Sequence, residues 1–66
     1  MSRVPRQLAL KIARRAGHRC EYCHLPEDAS LFAFQPDHVI AVKHRGPTNE
    51  ENLAWTCFYC NSYKGA

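Results

Sequence analysis

Four cysteines stand in two Cys-x-x-Cys pairs, Cys20 with Cys23 and Cys57 with Cys60. In such a pair the chain curls so that both sulfurs face one point. Two pairs complete a tetrahedron of thiolates, the arrangement zinc prefers in structural sites. A tetrahedron of protein ligands leaves no open position on the ion, so this site would serve folding and not catalysis. Two disulfides or free thiols are the alternatives. The first nineteen residues are basic and amphipathic and lack the apolar run of a secretory signal. No segment approaches the roughly 20 apolar residues of a membrane span. We therefore expect a cytoplasmic protein in a reducing compartment, where paired Cys-x-x-Cys motifs more often mean Zn2+ than disulfides.

Between and just after these pairs lie Asp37-His38, Asn52 and Asn61. The run Cys20-Glu21-Tyr22-Cys23, then Asp37-His38-Val39-Ile40, then Gly46-Pro47-Thr48-Asn49-Glu50-Glu51-Asn52-Leu53, then Cys57-Phe58-Tyr59-Cys60-Asn61-Ser62-Tyr63-Lys64 resembles the Cys-x-x-Cys subclass of HNH endonucleases. The likeness runs from Arg19 to Gly65 and joins several motifs in the correct order. It implies an α+β chain with a small ββα-metal fold. The catalytic histidine lies on the first strand, a loop carries the middle asparagine, and a second strand leads to a helix bearing the last metal ligand. Carried onto this chain, the resemblance makes His38 the general base. It makes Asp37 and Asn61 ligands of a catalytic divalent ion, Mg2+ or another, and it has Asn52 position the loop beside the histidine. The last H of the family name is here Asn61, whose single neutral oxygen shifts the burden to Asp37, water and substrate phosphate.

General chemistry agrees with these roles. Phosphodiester hydrolysis needs an in-line water, a base for its proton, and positive charge on the phosphate oxygens. A histidine titrating near 6.5 suits the base, provided an acceptor on its other nitrogen holds one tautomer. A hard divalent ion needs only one or two protein oxygens and takes the rest from water and phosphate. Adjacent strand residues point to opposite faces, so a regular strand would separate Asp37 from His38. The interruption expected at Pro36, or strand-end geometry, must bring both toward the site. Taken alone, Asp37 could be a turn residue and Asn61 a helix cap. His18, His24 and His44 are expected to face solvent.

Several elements must position these groups. Residues 5–16 read as a helix, with Leu8, Ala9, Ile12, Ala13 and Ala16 on one side and Gln7, Lys11 and Arg14 opposite. Pro5 suits its first turn and Gly17 its C-terminal stop. Residues 20–23 should form a tight knuckle and 26–30 a polar loop. The apolar runs 31–34 and 38–42 are expected as strands, with 43–52 a loop punctuated by Gly46-Pro47. Thr48 to Glu51 has capping-box spacing for a single helical turn. Residues 53–56 are expected to be extended, with the second knuckle at 57–60 and a helix from Asn61 onward. Phe32, Phe34, Trp55, Phe58 and Tyr59 are expected in the core rather than as platforms for bases.

The chain has 66 residues, one domain at most. So short a chain buries too little surface to offset its lost entropy without a metal, a disulfide or a partner. We divide it into a basic helix, 1–18, and a nuclease domain, 19–66. The net charge is +3, from nine Lys plus Arg against six Asp plus Glu. Four thiolates and a zinc ion would bring it to about +1, so net charge says little about nucleic acid. Distribution says more: Arg3, Arg6, Lys11, Arg14, Arg15 and Arg19 hold six of the nine positive charges. Lys11 and Arg14 are candidates for phosphate contact, as are Lys43 and Arg45 beside the active loop. Lys64 stands one turn after Asn61, on the same helix face. Arg45 stands where relatives often have glycine, so the loop shape could differ. The expected partner is DNA, duplex or nicked, with no membrane contact, and a domain of this size often works in pairs or larger assemblies. The competing reading is a non-catalytic zinc-knuckle module that binds nucleic acid or protein. Such a module has no need of Asp37, His38, Asn52 and Asn61 together.

Overall fold

In the computed structural model, which describes residues 4–64, two helices flank a two-stranded antiparallel sheet. Helix α1 spans Arg6–Arg15, strand β1 Gln35–His38, strand β2 Leu53–Thr56 and helix α2 Phe58–Lys64. Short 3-10 turns lie between them at Glu27–Ala29, Val42–His44 and Glu50–Asn52. The architecture is α+β and follows the strand–loop–strand–helix order of the ββα-metal fold.

Helix α1 forms for the reasons its sequence gives. Pro5 sits at the N-cap, and Leu8, Ala9 and Ala16 are half-buried while Ile12 and Ala13 are fully buried. Gly17 adopts φ +65. Its N–H bonds to Arg14 O at 3.1 Å, and the N–H of His18 bonds to Ala13 O at 3.0 Å. Those two bonds make a Schellman stop. The buried stripe packs on β2, β1 and the turn at Glu50–Asn52. Arg15 fastens this contact: Nη1 donates to Glu50 O at 2.6 Å, Nη2 to Leu53 O at 2.7 Å, and Nε to Glu21 Oε2 at 3.2 Å.

The sheet departs from the expected boundaries. Residues 31–34 are irregular, and β1 begins at Gln35 and ends at His38. Pro36, expected as an interruption, lies inside the strand opposite Trp55. The reason is the ladder's alternation. Trp55 turns its N–H to Glu21 Oε1 at 2.8 Å and its C=O to the Glu21 N–H at 2.8 Å. The Pro36–Trp55 pair is therefore a non-hydrogen-bonded one, where proline's missing donor costs nothing. The strand expected over 38–42 ends at its first residue. Asn52 captures the backbone of Ile40, and the chain then turns through Val42–His44.

Helix α2 starts at Phe58, earlier than expected, so the second knuckle and the first helical turn overlap. Asn61 is consequently interior to the helix, with its N–H bonded to Cys57 O at 3.0 Å, and is not a cap. The core gathers around Cys20, Phe34 and Cys57, with Leu25, Trp55 and Cys60 packed against them. Phe32, Phe58 and Tyr59, expected inside, are exposed. Phe32 and Phe58 stack with centroids 4.5 Å apart, and Tyr59 meets both edge-on. The buried cluster is built from the cysteines and Phe34 instead, and the three exposed rings pack on one another at the surface.

Candidate functional site

Two knuckles build the sulfur cluster. After Cys20 the chain reverses, with His24 N–H bonded to Cys20 O at 2.8 Å and Cys20 N–H to Leu25 O at 2.9 Å. His24 takes the left-handed conformation at φ 67 to close this turn. The N–H of Cys23 approaches Cys20 Sγ at 3.5 Å, and the N–H of Cys60 approaches Cys57 Sγ at 3.4 Å. All four Sγ atoms lie within 4.8 Å of one another. Sulfurs held about 2.3 Å from a central zinc stand about 3.8 Å apart. Cys23 Sγ and Cys57 Sγ are 3.7 Å apart, so the donor set and spacing fit zinc. Electrostatics point the same way. Burial opposes ionisation of Cys20, but N–H donors from Cys23, Cys57 and Tyr22 outweigh it and lower the thiol to about 6. Burial and the three neighbouring sulfurs push Cys60 well above the usual thiol range. One thiolate thus suppresses the next, and a dication relieves that repulsion.

Asp37 and His38 lie on the sheet, Asn52 at the end of the loop between its strands, and Asn61 on α2. Asp37 and His38 are consecutive and half-buried at the end of β1, opposite Ala54 and Leu53. His38 Nε2 lies 2.9 Å from Thr48 Oγ1. Asn61 extends its Nδ2 to Gln35 Oε1 at 3.2 Å. Gln35 and Asp37 are two apart on one strand and share a face. Asn61 is thus tied, through its amide nitrogen, to a strand residue on the face that carries Asp37. One carboxylate and one amide oxygen are the small protein contribution a hydrated Mg2+ accepts.

Asn52 is only 6% exposed and clamps the loop. Its Oδ1 accepts the Ile40 N–H at 2.8 Å, while Nδ2 donates to Ile40 O at 3.1 Å and Pro47 O at 2.8 Å. Its own N–H goes to Asn49 Oδ1 at 3.0 Å. Asn49, and not Thr48, therefore caps the turn at Glu50–Asn52. The capping-box pattern located the turn but assigned its cap one residue early. The Thr48 hydroxyl meets the imidazole of His38 instead, a contact the sequence reading missed. Gln35 was also missed, and nothing in its sequence neighbourhood marks it.

Among the basic residues, Arg14, Lys43 and Arg45 are exposed. Lys11 pairs with Glu50 at 3.1 Å, so part of its charge is already answered. Lys64 closes α2, but its side chain lies outside the described residues, as does Arg3. His18, His24 and His44 are exposed, with His18 Nδ1 2.6 Å from Glu27 Oε2. No described helix is long and apolar enough to cross a membrane. A family model described as HNH endonuclease matches residues 20–66. No curated protein and no solved structure gives a significant match.

Proposed function

Because this chain belongs to the HNH endonuclease family, we propose that it is a metal-dependent endonuclease that hydrolyses phosphodiester bonds in DNA. The observation that carries the proposal is the match to the family over residues 20–66 together with a four-sulfur cluster suited to zinc. The residues it rests on are Asp37 and His38 at the end of β1, with Asn61 tied to Gln35 on the same strand. In this reading residues 19–66 are the nuclease domain and 1–18 an added basic helix. His38 is the general base. It takes a proton from a water molecule, whose oxygen bonds to phosphorus. The bond to the 3′-oxygen breaks, its electron pair leaves with that oxygen, and a solvent water protonates it. The products are a 5′-phosphate and a 3′-hydroxyl.

Asp37 and Asn61 would hold the divalent ion, with Gln35 orienting the Asn61 amide. When bound, Mg2+ supplies positive charge to the phosphate oxygens and the leaving group. Asn52 keeps the loop against β1 through its three side-chain bonds, so the histidine meets a fixed wall. The four cysteines hold Zn2+ and have no part in the bond-breaking step. Lys43, Arg45, Arg14, Lys64 and, less strongly because of Glu50, Lys11 contact the DNA backbone. Such contacts make binding steeply salt-dependent and weakly sequence-specific. The protein would act in the cytoplasm, on duplex or nicked DNA, singly or as a pair.

A nicking assay on supercoiled plasmid with magnesium or manganese tests this. Wild type should cut, and His38→Ala should lose about two to four orders of magnitude while keeping its zinc. Asp37→Ala should raise the divalent ion concentration needed for half-maximal cutting. Equal cutting by wild type and His38→Ala would remove the histidine as base. No cutting by zinc-loaded wild type would leave a zinc-stapled binding module.

A further inference from the structure

The aromatic rings left outside the core join into one surface. Phe32 stacks on Phe58, and Tyr59 meets both edge-on. Phe58, Tyr59 and Tyr63 line an open hollow of about 550 Å³ with Cys23, Cys60 and Ser62. Cys60 and Tyr63 also border a second hollow, of about 370 Å³, whose other walls are Tyr22 and Val39. Tyr22, Phe32, Phe58 and Tyr59 are about half exposed, and Tyr63 is 93% exposed. At about 200 Å² for a bare ring, these five present roughly 500–600 Å². That is at the upper end of what a soluble monomer leaves uncovered in one apolar patch. It is also most of the roughly 800 Å² that each partner contributes to a stable interface.

Shape and charge say what covers this face. Tyr63 stands as a knob between two hollows that it helps to line. A knob beside its own socket is an arrangement that a two-fold axis closes, since each copy then supplies what the other lacks. No Lys, Arg, Asp or Glu lines either hollow. Two chains of the same net charge, +3, therefore meet there without opposing like charges. A nucleic-acid strand stacking its bases needs cations beside the rings for its phosphates, and the hollows offer none. We propose that this face pairs two copies of the chain in solution, each Tyr63 ring seated in a hollow of the other. The pairing stands whether or not the chain cuts DNA. It also covers Cys23, the exposed member of the sulfur cluster, which lines the larger hollow.

Analytical ultracentrifugation of the zinc-loaded full chain reads the pairing. Over about 1 μM to 1 mM, the mass should rise from 7.6 kDa to twice that value. Tyr63→Glu should keep its zinc and stay at the single-chain mass throughout, because pairing would bury two unpaired carboxylates. Leu10→Glu changes an exposed apolar residue on α1, outside the face, and should pair like wild type. Zinc transfer to a chromophoric chelator should slow about threefold or more across the same concentrations in wild type, and not in Tyr63→Glu. A wild type of single-chain mass at every concentration overturns the proposal, as does equal pairing by Tyr63→Glu, loss of pairing in Leu10→Glu, or zinc transfer at one rate throughout. So does quenching of aromatic fluorescence by oligothymidylate in a wild type that stays single, the result expected of a base-stacking surface. Should Tyr63→Glu lose its zinc, Tyr63→Ala takes its place, with pairing weakened about tenfold or more.

Discussion

Two residues in the loop between the strands show how backbone conformation sets the limits on chemistry. Gly46 has no room for a side chain, because any Cβ would collide with the Ile40 carbonyl. That carbonyl is held by Asn52 and cannot yield without breaking the clamp. Gly46→Ala should therefore cost roughly 2 kcal/mol or more of stability, and it should lower cutting by shifting the loop that Asn52 clamps. Urea unfolding of the zinc-loaded protein measures the first effect. Its neighbour Arg45 stands at φ 65, a left-handed conformation that a side chain disfavours by about 1–2 kcal/mol. Arg45→Gly relieves that strain but loosens the unfolded chain, so we expect a net gain of a few tenths to about 1 kcal/mol. If Arg45 contacts phosphate, the same variant should bind DNA less tightly, with the salt slope reduced by about 1. A variant that is more stable yet binds DNA with an unchanged slope would remove Arg45 from the interface.

Among the elements, helix α1 is joined to the site by Arg15, with the Lys11–Glu50 pair beside it. Arg15 reaches Glu21 in the first knuckle, Glu50 in the loop turn and Leu53 in β2. Glu21 in turn takes the Trp55 N–H. Burial tends to raise the Glu21 pKa, but the Arg15 guanidinium and the Trp55 N–H outweigh it, and the carboxyl sits below its ordinary value of 4.5. A depressed carboxylate stabilises the fold fully above its unfolded value, and the contribution disappears as pH falls through the folded value. Glu21→Gln should lower the melting temperature of the zinc-loaded protein at pH 7 by about 5 °C, the shift expected for roughly 1 kcal/mol in so small a domain. The gap between the two proteins should narrow on acidification below about 4.5; a widening gap would contradict the sign.

For the whole molecule the controlling fact is size. The described chain has few fully buried large side chains, among them Ile12, Leu53, Thr56 and two of the four cysteines. Hydrophobic burial on that scale does not offset the entropy of ordering such a chain. Zinc binding supplies roughly 10 kcal/mol or more in comparable modules. A strong chelator should therefore unfold the domain, with loss of helical circular dichroism and of the near-ultraviolet signal of Trp55. Unchanged spectra after verified zinc loss would show that the protein core suffices. Zinc affinity should also rise steeply between about pH 6 and 8, because thiols must lose protons to bind; competition with a chromophoric chelator reads this directly.

The sequence by itself determined what periodicity and spacing can encode. The stripe on α1, its stop at Gly17, the pairing of the Cys-x-x-Cys motifs and the order of Asp37, His38, Asn52 and Asn61 were all legible, because each depends on neighbours a few residues apart or on a fixed motif. Tertiary structure decided what depends on partners far along the chain. Pro36 sits within β1 because Glu21 occupies the hydrogen-bonding edge of Trp55. The strand ends at His38 because Asn52 takes the backbone of Ile40. Phe32, Phe58 and Tyr59 lie outside and stack on one another, while the cysteines, Phe34 and Trp55 make the buried cluster. The Thr48 hydroxyl reaches His38 because Asn49 caps the following turn. In each case a long-range hydrogen bond or a filled volume outweighs local preference, and neither leaves a mark in the local run of residues.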